Sequence, residues 1–126
     1  MDPVNLFDLA SQQSRWLAVR QSAVAGNVAN VNTPGYGTAE IEPFQRVLDN
    51  TRVTLASTNP AHLAGNSSAD GFKVTQEDTS QALMPSKNTV VLEKELMKSG
   101  EIRRGMELNT AIVKAFHRMA LTSMKG

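Results

Sequence analysis

Two stretches of this chain repeat apolar residues at intervals of three and four, and a long polar interval separates them. In the first, Leu6, Leu9, Ala10, Trp16, Leu17, Ala23, Val24, Val28 and Val31 fall on one stripe of a helix. Asp2 stands where an N-cap acceptor would, and Pro3 suits a first helical turn. The pattern predicts a helix over residues 3–31, a rod of roughly 40 Å. Gln13, Arg20 and Asn27 interrupt the stripe at seven-residue intervals. A packed core seldom carries such groups, whereas a coiled-coil seam does, because polar seam positions fix register at some cost in stability.

The second stretch places Leu92, Leu96, Ile102, Met106, Val113, Phe116 and Ala120 on one line, broken by Ser99 and Asn109. Asn88 or Thr89 is the expected cap. Glu93 and Glu95 lie near the start and Lys114, Arg118 and Lys125 toward the end, as the helix dipole favours. Gly100 and Gly105 each weaken a helix by about 1 kcal/mol relative to alanine, and both remove bulk so that another helix approaches closely. The pattern predicts a helix over 89–124, roughly 54 Å long.

What ends the first helix is specific. Pro34 disfavours helical geometry at Thr33 and lacks an N–H, and Gly35 after it allows the positive φ of a turn. Asn27, Asn30 and Asn32 carry side chains able to bond nearby backbone as the helix runs out. Residues 35–87 are then rich in Gly, Pro, Ser, Thr, Asn and Asp. Inside them, 42–48 has the spacing for one or two helical turns, 52–55 alternates like a strand, and 58–63 reads as a single turn begun by Pro60. Residues 71–75 are a candidate second strand for 52–55. These pieces bury little apolar surface, so weak order is expected of them in the free chain.

The organisation expected is therefore a helix over 1–34, a polar insertion over 35–87 and a helix over 88–126, forming one assembly domain. The fold class is mainly α: two long terminal helices packed as a coiled coil, with a loosely structured, β-containing insertion between them. Helix packing falls to Leu6, Leu9, Trp16, Leu17, Val24, Val28, Leu92, Leu96, Met106, Val113 and Phe116. Two helices alone leave half of their apolar surface wet, so helices from other copies are expected to complete the bundle.

Composition narrows the choice. The chain is 40% hydrophobic but only 5% aromatic, which is thin material for a compact core. It has no cysteine, which excludes disulfides, thiol catalysis and thiolate metal sites. A net charge of +1 argues against a polybasic nucleic-acid binder. The first 34 residues are neutral, 35–87 carry −2 and 88–126 carry +3. No run reaches the length of a membrane span, and Met1, Asp2 and Pro3 do not open a secretory signal.

Catalytic chemistry finds no support. His62 and His117 lie far apart, and neither has a carboxylate or second histidine at ligand spacing. Glu40 with Glu42, and Glu77 with Asp78, read as solvated loop acids. Gly35, Tyr36 and Gly37 follow a helix rather than a strand and lack the lysine of a phosphate loop. Arg103 and Arg104 read as a charged pair on a helix, solvated or bridged to an acid such as Glu107. No catalytic, cofactor-binding or metal residue is assigned. Trp16 is the large aromatic of the first helix, a seam residue or an interface anchor.

The run Asn27, Val28, Ala29, Asn30, Val31, Asn32, Thr33, Pro34, Gly35, Tyr36 resembles the N-terminal signature of the bacterial flagellar axial proteins. Leu6 to Ala10, then Trp16, Leu17, Val19, Arg20 and Gln21, is similar to the opening of the basal-body rod proteins of that group. Residues 88–97 resemble the segment that opens their C-terminal helix. The short length suits a proximal rod subunit. The resemblance implies a structural subunit with Asn27, Ala29, Asn30, Thr33, Pro34, Gly35 and Tyr36 in assembly. It implies export through the flagellar type III apparatus without a cleaved signal peptide, and polymerisation into the periplasmic rod. It also implies contacts with other copies, other proximal rod proteins, the rod-to-ring adaptor and the export gate. Nucleic acid and a direct membrane span play no part in this reading. A different flagellar axial protein, or a soluble helical adaptor or secretion chaperone, are the alternatives.

Overall fold

The computed structural model describes residues 6–55 and 71–126. In chain order its elements are α1 (Leu6–Ala29), β1 (Ala39–Ile41), α2 (Phe44–Leu55), β2 (Val74–Gln76), a 3-10 turn (Thr79–Gln81) and α3 (Leu92–Lys125). The protein is mostly helical. Its two long terminal helices pack against each other, and a two-stranded sheet lies in the insertion between them. The cap expected at Asp2 and Pro3 and the turn expected at 58–63 lie outside the described residues. Among the described residues no helix is long and apolar enough to cross a membrane.

The terminal helices are antiparallel, and four contacts fix their register. Phe7 meets Phe116 edge to face at 5.2 Å between ring centroids. Asn109 Nδ2 donates to the Ala10 carbonyl at 3.0 Å, Arg20 pairs with Glu101 at 3.0 Å, and Asn27 meets Glu95 at 3.0 Å. Three of these contacts use a polar residue that interrupts an apolar stripe. Between them Leu17, Val24 and Ile102 are buried, with Trp16 and Met106 packed alongside. Gly105 sits opposite Leu17, where an added Cβ would stand 3.2 Å from a Leu17 methyl, so its lack of bulk sets the helix separation. Gly100 has no such role, since a Cβ there would meet nothing within 4 Å.

The insertion departs from expectation in two linked ways. Residues 52–55 are helical rather than a strand: α2 begins after Pro43, whose carbonyl accepts from Arg46 and Val47 at 2.9 and 3.3 Å, and it runs for 12 residues. Nucleating a helix is the costly step and extending it is not, so weak strand preference at Val53 and Thr54 does not stop it. With 52–55 taken up, 71–75 has no partner there. Strand β2 pairs instead with β1, antiparallel, with Ala39 opposite Gln76, Glu40 opposite Thr75 and Ile41 opposite Val74. Bonds from Glu42 N to Lys73 O (2.9 Å) and Glu77 N to Thr38 O (3.0 Å) extend the ladder on each side. Strand β1 also lies against α1.

The start of α3 is a further correction. Its N-cap is Val91, with no side-chain cap bond, and neither Asn88 nor Thr89 serves. The Asn88 side chain is engaged just past the end of α1 instead, and that of Thr89 with Thr38 at the entry to β1.

Candidate functional site

The last turn of α1, the first turn of α3 and the entry to β1 converge on a polar junction. Helix α1 runs out through short local bonds. Asn30 N and Nδ2 both donate to the Gly26 carbonyl, at 3.1 and 2.8 Å, and Thr33 N donates to Asn30 O at 3.0 Å. The carbonyls at such a helix end have no partner within the helix. Asn88 supplies one: its Nδ2 lies 2.9, 3.0 and 2.7 Å from the carbonyls of Asn30, Val31 and Thr33, while its Oδ1 accepts from Val90 N at 2.8 Å. Asn88 therefore caps α1, not α3.

The exit past Pro34 is held equally firmly. Gly35 adopts φ +73°, the left-handed turn that its sequence foretold, and its N–H donates to Ser86 O at 2.8 Å. Tyr36 folds back so that its hydroxyl lies beside Gly26, and its carbonyl accepts from Thr89 N at 3.1 Å. Thr89 Oγ1 accepts from Thr38 N at 2.8 Å and lies 2.9 Å from Thr38 Oγ1. Gly37 passes so close to Glu77 that a Cβ would stand 2.3 Å from the Glu77 carbonyl oxygen, so nothing larger than glycine fits.

At the centre lies Asn27, 0% exposed. Its Nδ2 donates to Ala39 O at 2.9 Å and to Glu95 Oε2 at 3.0 Å, and its Oδ1 accepts from Ala39 N at 2.8 Å. One amide thus pairs with the backbone of β1 as a strand would, and with α3 at the same time. Glu95 is 1% exposed, and its other oxygen accepts from Lys98 Nζ at 3.1 Å. Lys98 also bonds Glu40 on β1. Burial alone lowers the Lys98 pKa, but its hydrogen bonds to Glu40 and Glu95, with their charges, outweigh that and raise it. No buried side-chain polar atom among the described residues is left without a partner.

Trp16 fastens the insertion higher on α1. Its Nε1 donates to Glu42 O at 2.8 Å, and its ring lies 5.5 Å from that of Phe44. The Arg20 guanidinium, bound to Glu101, sits 5.5 Å from the same ring. A cavity of about 270 Å³ opens here, with Trp16, Ala23, Ile41, Phe44 and Lys98 among its walls. Its charged groups are already paired, and no nucleophile, acid and base converge on it. Arg103 and Glu107 form the expected exposed pair at 3.3 Å.

The structure brings Asn27, Asn30, Thr33, Gly35 and Tyr36 together in the junction, by side chain or backbone, while Ala29 and Pro34 are exposed. Of the residues assigned to helix packing, Leu17 and Val24 are buried. Leu6, Leu9, Trp16, Met106 and Val113 are half-buried, and Val28, Leu92, Leu96 and Phe116 are exposed. Glu95, Asn88, Gly37 and the pair Thr38–Thr89 escaped the sequence. Glu95 had a signal, for it stands seven residues before Ile102 on the line that continues to Asn109 and Phe116.

Residues 16–36, which run from Trp16 through the junction turn, match the family model described as flagella basal body rod protein. Over 129 aligned residues the chain is 42% identical to the flagellar basal body rod protein FlgB of Agrobacterium fabrum, covering 99% of this chain and 96% of that protein.

Proposed function

This chain belongs to the flagellar basal body rod protein family, related to FlgB along its whole length, and from that premise we propose that it is a structural subunit of the proximal rod. It polymerises through its terminal helices to build the drive shaft used in flagellum-dependent motility, and it performs no catalysis. The observation that carries this reading is the apolar surface that the α1–α3 pair leaves in water. Leu96, Met97, Leu108, Met119 and Met124 are each more than 60% exposed on one helix. Scattered apolar residues are ordinary, but a helix apolar on more than one flank asks for more than one neighbour.

On this reading the junction is a rigid joint. It fixes the angle between a helical pair that sits in the tube and an insertion that reaches a neighbour. Neighbours are other copies, other proximal rod proteins, the rod-to-ring adaptor and the export gate. The protein reaches the periplasmic rod by flagellar export. Relatedness over nearly the whole of both chains favours this over a cytoplasmic adaptor or chaperone.

Deletion of the gene, followed by isolation of basal bodies from the deletion strain and a complemented one, tests the proposal. The expected result is loss of swimming and of the rod, both restored by the intact gene, with the chain recovered in complemented basal bodies. Rods that form normally without it would refute the proposal.

A further inference from the structure

We infer that residues 86–90 act as a latch on the turn past Pro34. Latch and turn open and close as one unit, ahead of the helical pair. The inference concerns the single chain and does not depend on the rod reading. Left to itself the turn has little to hold it: Thr33 N donates to Asn30 O at 3.0 Å and Tyr36 N to Thr33 O at 3.3 Å. Ser86, Asn88 and Thr89 supply the ties that close it. Ser86 O accepts from Gly35 N, and Asn88 Nδ2 donates to the carbonyls of Asn30, Val31 and Thr33. Thr89 donates from its N–H to Tyr36 O and accepts from Thr38 N at its hydroxyl. Successive points of the latch thus bind successive points of the turn, and none releases its partner without moving the next.

The unit opens first because what it buries is polar. Asn27, Thr38 and Asn88 are buried here, and Val90 is the one apolar side chain of the latch buried with them. The apolar cluster of Leu17, Val24 and Ile102 lies toward the middle of the hairpin. Hydrogen bonds exchanged with water give modest net stability, and a region with few buried apolar contacts sits at the low end of local stability. Lys87 adds to this. Its φ of +55° is left-handed, a conformation disfavoured for a residue with a Cβ, and opening relieves it. Once the latch is open, the direction of the chain past Pro34 is no longer fixed. The joint is therefore rigid only while 86–90 is docked.

Amide exchange of the purified full chain tests this directly. Gly35, Thr38, Thr89 and Val90 are expected to share one protection factor, about tenfold or more below those of Leu17 and Ile102. Asn88→Ala leaves the acceptors of the Gly35, Thr38 and Thr89 amides in place, yet should lower the protection of all three by one common factor. The chain has no cysteine, and the hydroxyl oxygens of Thr38 and Thr89 lie 2.9 Å apart, within reach of a disulfide. Oxidising the double variant Thr38→Cys/Thr89→Cys should raise protection at Gly35 and Val90 together, by about tenfold. Leu17 and Ile102 should stay unchanged, and reduction should reverse the effect. Asn88→Ala loosening Val90 alone would overturn the inference, since the bonds then act separately. Loosening of Leu17 and Ile102 as much as Gly35 would also overturn it, since latch and core are then one unit. So would an oxidised bridge that leaves Gly35 or Val90 no better protected.

Discussion

Asn27 of α1 and Glu95 of α3 share a hydrogen bond of 3.0 Å at a point where neither side chain meets water. A buried carboxylate is tolerable only when paired and hydrogen-bonded, and here Asn27 and Lys98 together satisfy it. The same asparagine holds both backbone groups of Ala39. One side chain thus links the helix pairing to the departure of the insertion.

Replacing Asn27 with alanine strands the Glu95 oxygen and the Ala39 amide and carbonyl. The cost of leaving buried polar groups unpaired is about 1–3 kcal/mol each, more for a charge, so a loss of at least 3 kcal/mol is expected in urea unfolding of the purified chain. Asn27→Asp, which sets a second carboxylate against Glu95, should be as damaging. Glu95→Gln keeps the acceptor and should cost less than either. Equal stability of Asn27→Ala and the unaltered chain would contradict this role.

Gly37→Ala should separate β1 from β2. The added carbon falls 2.3 Å from a backbone oxygen, which has no rotamer to escape into, and strain of this kind costs about 1–3 kcal/mol. Amide exchange in Glu77, whose N–H bonds Thr38 O, should quicken at least tenfold. Gly35→Ala, which must hold φ +73°, should cost about 1–2 kcal/mol. In the double change of Pro34 and Gly35 to alanine, α1 runs on past its stop and swimming in soft agar is lost.

Trp16→Phe keeps an aromatic against Phe44 but removes the donor to Glu42 O; Trp16→Ala removes both. Expected losses are about 1 kcal/mol for the first and 3–5 kcal/mol for the second. Because the tie lies inside the subunit, secretion of Trp16→Ala into the medium of a rod-deficient strain should persist while its amount in basal bodies falls. Equal loss of secretion and incorporation would count against an assembly role.

The pH dependence follows from Lys98. Its folded pKa lies above the ordinary 10.5. The stabilisation it gives is therefore complete below the unfolded pKa and is lost as pH rises through the folded value. Unfolding midpoints should fall above about pH 10.5, and Lys98→Met should flatten that fall while lowering stability at neutral pH. An alkaline decline unchanged in Lys98→Met would show that the ion pairs contribute nothing.

Much of this was legible in the residues, and the limits are physical. The stripes at three and four, the first broken every seventh residue and the second at Ser99 and Asn109, foretold two paired helices with polar ties, and Arg20, Asn27 and Asn109 make those ties. Pro34 and Gly35 foretold the exit turn. What stayed hidden is long-range pairing in a segment of short elements. Local alternation at 52–55 says nothing of the helix already growing from Phe44, and nothing in 71–75 names β1 as its partner. Asn88 illustrates the same limit. Its local position suited a cap for α3, but three carbonyls at the end of α1, more than 50 residues earlier, claim its side chain.

The central claim, that this chain builds the proximal rod through its terminal helices, is tested most directly by reconstructing intact basal bodies at side-chain resolution by electron cryomicroscopy. The account predicts α1 and α3 paired antiparallel within the wall of the rod, Asn27 against Glu95 in each copy, and the outer flanks of α3 covered by neighbouring subunits. A rod whose proximal segment lacks this chain, or holds it with α1 and α3 apart and the flanks of α3 in solvent, would contradict it.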